Sequence, residues 1–258
     1  MQKLPTPLAF SRRVLYFAMR QVMGTITSVD TRDHVAALTF DDGPDPTFTP
    51  RLLNILERHQ ARATFFVVGE TAQKYPELIR QIAQTGHVIG NHSWNHPAFT
   101  LISRRERRAQ ICACAKAIAP YGHRIFRPPF GCLSTASRLS VFWLGYQVVT
   151  WNVVAEDWLD HDAEQIVNRL RNKIQPGSIV NFHDALHDTI EERYMNREPT
   201  LQAVDMLLEQ LGDRFCFVTI PALLQHGRPR RVNWSYQLDR NFLNGLRKHD
   251  GQPSWRYP

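Results

Sequence analysis

Cysteine is scarce: the chain of 258 residues has four, Cys112, Cys114, Cys132 and Cys216, with neither a CxxC pair nor a zinc-ribbon spacing among them. A disulfide framework is therefore excluded as the source of stability, since that strategy belongs to short chains dense in cysteine. Cys112 and Cys114 stand two apart on a predicted helix, so they point to different faces and read as reduced packing residues. Long apolar runs are missing as well. Nothing approaches the roughly 20 apolar residues that cross a bilayer, so no membrane-spanning helix is expected. Internal repeats and low-complexity segments are absent, and hydrophobic and charged fractions of 43% and 21% set aside disordered and fibrous classes.

Positive charge is missing from the place where a nucleic-acid reader would carry it. Residues 1–35 hold five Lys/Arg against two Asp/Glu and residues 226–258 seven against two, so of the total of +7 the centre keeps −1. With no basic stripe through the middle, nucleic acid is not an expected partner. The basic ends suit an anionic membrane surface or a lipid-linked sugar, although a basic segment that is merely solvated is the commoner case. Ser11-Arg12-Arg13 ahead of Val14-Leu15-Tyr16-Phe17 resembles a twin-arginine export signal, but Arg20 interrupts the apolar stretch and no small-residue cleavage site follows. Val14, Phe17, Ala18 and Val22 against Arg12, Arg13 and Arg20 read instead as an amphipathic helix. The expected location is cytoplasmic or membrane-peripheral.

What the chain does have is alternation. Predicted strands at Val35 to Phe40, Ala63 to Val68, His87 to Gly90, Ile125 to Arg127, Tyr146 to Thr150, Ser178 to Phe182 and Phe215 to Thr219 are separated by helical patterns. Thr49-Pro50 marks one helix start, and Ser103 with Glu106 forms a capping box at another. Strand-helix repetition with apolar strands predicts an α/β fold with a parallel sheet under helices, and seven units predict a distorted, TIM-like (β/α) barrel, closed or nearly so. The expected organisation is a single domain over residues 35–225, preceded by a basic amphipathic segment at 1–34 and followed by a basic aromatic tail at 226–258.

In such a barrel functional side chains gather at the carboxyl ends of strands. The first predicted strand ends in Asp41-Asp42-Gly43-Pro44. Successive residues leave the chain in different directions, so one carboxylate can serve a metal and the other a water; the plainer reading is an Asx-turn with two solvated carboxylates. The third strand runs into His92-Ser93-Trp94-Asn95-His96, where two imidazoles four apart can share a face of a helical turn and chelate one divalent ion with a carboxylate. Arg127-Pro128-Pro129-Phe130 follows the fourth, Glu156-Asp157-Trp158 the fifth, and Asn181-Phe182-His183-Asp184 closes the sixth. Each is ordinary alone. Together they supply metal ligands, a base, a charge partner, an acid and an apolar wall, which are the parts of a metal-assisted amide hydrolase.

This set resembles the polysaccharide deacetylases, the carbohydrate esterase family that includes chitin, chitooligosaccharide and peptidoglycan N-acetylglucosamine deacetylases. Its five motifs stand in order: TFDDGP at Thr39 to Pro44, HSxxH at His92 to His96, RxPF at Arg127 to Phe130, a partial DxxDW ending at Asp157-Trp158 and a partial LxH ending at His183. The resemblance implies that Asp42, His92 and His96 hold one divalent metal, usually zinc. It implies that Asp41 is the general base, paired with Arg127, and that His183 is the general acid, oriented by Asp157. Phe130, Trp158 and Asn181 are then expected at the substrate, with a backbone N–H near Phe130 as an oxyanion donor. Two positions depart from the pattern: Val154 replaces the first acid of the fourth motif, and Asn181 replaces the leucine of the fifth, in the acyl pocket. The implied activity is hydrolysis of an N-acetyl group from an amino sugar in an oligosaccharide, polysaccharide or glycolipid. A deformylase, an O-acyl esterase and a non-catalytic glycan-binding protein are the alternatives, and no oligomeric state follows from the sequence.

Overall fold

Strand β2, Val35–Asp41, is buried along its whole length, as expected of a strand covered on both faces of a parallel sheet. Alternation divides its side chains. Ala36, Leu38 and Phe40 join one hydrophobic cluster with Leu52, Leu56, Ile82, Val167 and Leu207 of the surrounding helices. Val35 and Ala37, in the second cluster with Phe66, Phe126 and Ile179, start the inner row that continues through Thr39 to Asp41.

The computed structural model describes residues 22–159, 161–189 and 192–237. In chain order the elements are β1 (Thr25–Asp30), β2, α1 (Thr49–Arg58), β3 (Thr64–Val67), α2 (Gly69–Lys74), α3 (Pro76–Gln84), β4 (Val88–Asn91), α4 (Arg104–Ala117), β5 (Gly122–Phe126), α5 (Thr135–Phe142), β6 (Gln147–Val148) and β7 (Val153–Val154). Then come α6 (Ala163–Leu170), β8 (Ile179–His183), α7 (Glu192–Met195), α8 (Glu198–Leu211), β9 (Cys216–Phe217), α9 (Ile220–Leu223) and β10 (Arg228–Val232). The parallel strands run in the order β6-β5-β4-β3-β2-β8-β7, a curled seven-stranded half-barrel, with β9 pairing the first two residues of β2.

The expected α/β barrel is therefore present, with one exchange among its strands. Val153–Val154, outside every expected strand, pairs with β8, whereas the strand expected at Phe215 to Thr219 shrinks to Cys216–Phe217. Helix α1 also starts one residue off the expected cap. Phe48 is the N-cap, and the Thr49 hydroxyl donates to Asp184 Oδ2 at 2.5 Å. The Ser103–Glu106 capping box forms as expected.

The segments expected to flank the domain meet each other. β1 and β10 pair antiparallel from Thr25↔Val232 to Asp30↔Arg228. Single bridges Ile26↔Val149 and Ser28↔Ser178 fasten this ribbon to the chain just after β6 and just before β8. The amphipathic helix expected over Arg12 to Val22 and the twin-arginine stretch lie outside the described residues, Val22 excepted, as does the tail beyond Gln237. Among the described residues no helix is long and apolar enough to cross a membrane. Cys112 and Cys216 are exposed, Cys114 and Cys132 buried, and all four are free thiols.

His87 gives the fold a measurable acid sensitivity. Its ring is buried and its Nδ1 accepts from the Ala63 N–H at 3.0 Å, which requires the neutral form. Burial, then the nearby Arg62, pushes its pKa down to about 4. A depressed folded-state pKa means that this contribution is intact above the unfolded value of about 6.5 and is lost as pH falls toward 4. Denaturant unfolding between pH 7 and 4 is expected to show wild type losing up to about 1.4 kcal/mol per pH unit relative to His87→Asn, which keeps an acceptor and does not titrate.

Candidate active site

The inner row of β2 meets the inner row of β8 at one register position, Asp41↔His183, and one step below at Thr39↔Asn181. Parallel neighbours at the same register present side chains to the same face, so the base and acid of the sequence reading stand side by side. Asp41 is 2% exposed, and Arg127, the largest fully buried side chain, donates to its Oδ1 through Nη1 at 2.7 Å. Nη1 also reaches Thr39 Oγ1 at 2.7 Å, Nη2 the Thr150 carbonyl at 2.9 Å and Nε the Val149 carbonyl at 3.4 Å. The guanidinium lies 4.1 Å from the Phe66 ring centroid and 5.3 Å from that of Trp151.

Asp42 turns away from its neighbour. Its φ of 73° is a left-handed step that ends the strand and redirects the carboxylate. Asp42 Oδ1 then lies 3.4 Å from His92 Nε2 and 3.2 Å from His96 Nε2, and the two nitrogens are 3.2 Å apart. The histidines are not on a helical turn, as the spacing suggested. They lie in a loop after β4 bent by left-handed steps at Ser93 (φ 73°) and His96 (φ 58°). Gly43 permits the tight turn beneath: a Cβ there would collide with the carboxylate of Asp184.

The triangle fits a metal ion. Asp42 Oδ1 is buried without a hydrogen-bond partner, and these three ligand atoms are a buried Asp-His-His set able to hold one ion. Tetrahedral bonds of about 2.0–2.1 Å set neighbouring donors about 3.3–3.4 Å apart. Burial alone would raise the Asp42 pKa, but His96, His92 and His183 hold it well below the carboxylate range. Each imidazole is fixed from behind: His92 Nδ1 donates to the Arg127 carbonyl at 2.8 Å, and His96 Nδ1 to Asp188 Oδ2 at 2.5 Å.

On the acid side, His183 Nδ1 meets Asp157 Oδ1 at 2.9 Å, while Asp157 Oδ2 accepts the His183 N–H at 2.9 Å and the Thr200 hydroxyl at 3.2 Å. Burial disfavours the imidazolium of His183, yet Asp157, joined by Asp42 and Asp41, outweighs it and the pKa rises above the usual histidine value. Burial likewise opposes ionisation of Asp157, but His183 and then Arg197 hold its pKa low. Trp158 stands edge-on to His183 at 5.2 Å, and Phe130 lies 4.5 Å from His96, between ring centroids.

These features have counterparts in known proteins. The polysaccharide deacetylase family profile matches residues 28–149. A peptidoglycan-N-acetylglucosamine deacetylase of Bacillus cereus is 34% identical over 199 residues, covering 76% of this chain and 70% of its own. The chain belongs to the polysaccharide deacetylase family. A chitooligosaccharide deacetylase of Azorhizobium caulinodans is 36% identical over 167 residues, 63% of this chain and 80% of its own. Among solved structures, a peptidoglycan N-acetylglucosamine deacetylase in complex with an N-oxidanyl-benzamide superposes with a TM-score of 0.74 at 30% identity, covering 84% of this chain and 99% of that one.

Within this polysaccharide deacetylase every expected site residue falls in one neighbourhood, but Asn181 makes a contact that the motif comparison did not suggest. Its Nδ2 donates to Asp41 Oδ2 at 2.9 Å, so its amide is directed at the Asp41 carboxylate, while its Oδ1 is buried without a hydrogen-bond partner. Val154 occupies β7, opposite Asn181. Sequence reasoning missed Asp188, Thr200 and Arg197, whose Nη1 donates to the Asp157 carbonyl at 2.7 Å. None sits in a motif or at a strand end. Only the proximity of Asp188 to His183 in sequence was a signal. Elemental analysis after dialysis is expected to find one tightly held divalent ion per wild-type chain and none in folded His92→Ala or Asp42→Ala; full occupancy in either variant refutes the ligand set.

Proposed function

We propose that this chain removes the acetyl group from the amino nitrogen of an N-acetylglucosamine-containing glycan, with zinc as its metal. The observation that carries the reading is the convergence of Asp42, His92 and His96 beside a base and an acid at one register position. Two imidazoles and one carboxylate are a donor set that suits zinc among the divalent ions. An ion held by Asp42, His92 and His96 would supply Lewis-acid polarisation of the substrate carbonyl and a lowered pKa for water. The named relatives act on peptidoglycan N-acetylglucosamine and on chitooligosaccharides, which makes such glycans the substrate class to test first.

The chain's own residues then divide the proton transfers. Asp41 accepts the proton of the attacking water as the new carbon–oxygen bond forms, with Arg127 holding its carboxylate in place. His183, its Nδ1 committed to Asp157, delivers a proton from Nε2 to the amine nitrogen as the carbon–nitrogen bond breaks. The products are acetate and a free amino sugar. In the turn after β5 the N–H groups of Gly131 and Cys132 bond within the turn, that of Arg127 bonds Asn91, and two prolines have none. The Phe130 N–H is left as the donor available to a developing oxyanion, and the φ of 56° at this residue sharpens the turn that presents it.

Incubation of zinc-loaded protein with N-acetylated chitooligosaccharides and peptidoglycan fragments is expected to release acetate, seen as loss of acetyl mass from the glycan. Asp41→Asn and His183→Ala should keep zinc and fold while losing about 10²–10⁴-fold in kcat. Near-wild-type turnover in Asp41→Asn refutes the base assignment. The raised pKa of His183 keeps its acid form present above the ordinary histidine range and sheds it at higher pH still. The alkaline limb of the pH–rate profile should therefore move to lower pH in Asp157→Asn, and an unmoved limb refutes the pairing.

A further inference from the structure

We propose that Asp188 is a positioning residue for the metal ligand His96, through which the loop after β8 sets how tightly the ion is held. This rests on the reading of Asp42, His92 and His96 as the metal set. An imidazole ligates through one nitrogen only if the other carries the proton, so the partner of the second nitrogen decides whether a histidine is ready to bind. The two histidines solve this differently. His92 Nδ1 faces a backbone carbonyl, that of Arg127, at 2.8 Å, and a carbonyl can only accept. His96 Nδ1 faces the carboxylate of Asp188 at 2.5 Å, which fixes the same tautomer and adds negative charge that makes Nε2 a stronger ligand.

His96 has more need of such a partner. It sits on a left-handed step, φ 58°, and its backbone N–H is held by Ser93 Oγ at 3.1 Å. Phe130 packs on its ring at 4.5 Å but an aromatic face cannot choose a tautomer. The neighbouring residue reinforces the contact, because the His187 N–H donates to Asp42 Oδ2 at 3.1 Å. Two consecutive loop residues thus touch two of the three ligands, one through a carboxylate and one through the backbone. The Asp188 side chain is 40% exposed, so its replacement opens no cavity in the core, and it lies outside every motif that marks the family.

Zinc affinity measured without any glycan tests this, by competition between a chromogenic chelator and metal-free protein reloaded with Zn²⁺. Asp188→Ala is expected to bind zinc about 10–100-fold more weakly than wild type, and Asp188→Asn, which keeps an acceptor without the charge, to fall between them. In the zinc-loaded state the Nδ1–H proton of His96 should resonate far downfield and exchange slowly in wild type and lose both properties in Asp188→Ala, with the Nδ1–H of His92 unchanged. Wild-type affinity and an unchanged His96 Nδ1–H resonance in Asp188→Ala would overturn the assignment while leaving the deacetylase reading intact. Failure of wild type itself to bind zinc would overturn both.

Discussion

A guanidinium with no exposure to solvent must have every edge answered, and the interior of this half-barrel is arranged around that requirement at Arg127. Its donors reach Asp41, Thr39 and the carbonyls of Val149 and Thr150, while Phe66 and Trp151 lie close to it as aromatic faces. One charged side chain therefore ties β2 to the chain leaving β6 and fixes the carboxylate proposed as base. A buried pair of this kind contributes little net stability, but loss of one partner leaves a buried charge at a cost of about 3–5 kcal/mol. The carbonyl of the same residue holds His92, so the contacts that fix Asp41 and His92 share Arg127.

Backbone strain collects in the same place. Of the six described residues other than glycine with left-handed φ, five, Asp42, Ser93, His96, Phe130 and Glu156, lie in loops at the carboxyl ends of strands, and Gln60 follows a helix. Such steps cost on the order of 1–3 kcal/mol each and persist where the surroundings over-determine them. Here the surroundings are a ladder that ends just before each step: β2 stops at Asp41, and β4 stops at Asn91, whose side chain accepts the Ser93 N–H at 2.9 Å. A straight continuation would have sent Asp42 to the outer face, away from His92 and His96.

The parts of this site legible in the sequence were those whose chemistry is local. Asp41, Asp42, His92, His96, Arg127 and His183 announced themselves as polar residues directly after apolar strands, and the barrel followed from strand-helix alternation. Contacts made across the fold were not legible. Asp188 reaches His96 over 92 positions, and Thr200 reaches Asp157 over 43, with nothing in spacing or composition to join either pair. Asn181 was visible as a departure from a motif, yet the contact it makes, with Asp41 140 positions away, depends on strand order. The β1–β10 ribbon was hidden for the same reason, since each strand alone reads as an irregular flank and only pairing gives it structure. Tail aromatics also needed the fold: Trp234 turns inward, and its Nε1 donates to the Gly131 carbonyl at 2.8 Å beside Phe130.

The spacing of Asp41 and His183, the proposed base and acid, inherits its accuracy from packing on the opposite face of the sheet. Strands β2 and β8 are held in register by outward side chains, where Phe40 stacks on Phe65 at 5.2 Å and on Phe182 at 5.7 Å. A slip of one residue between the strands would turn His183 into that apolar layer and bring Phe182 into the polar interior, which costs both core burial and a buried imidazole without Asp157. Register is therefore selected by hydrophobic burial on one face and read out as catalytic geometry on the other. Asp41↔His183 lies at the last paired position of the ladder, so the site takes its alignment from the rigid sheet while its open side belongs to loops free to vary around a glycan.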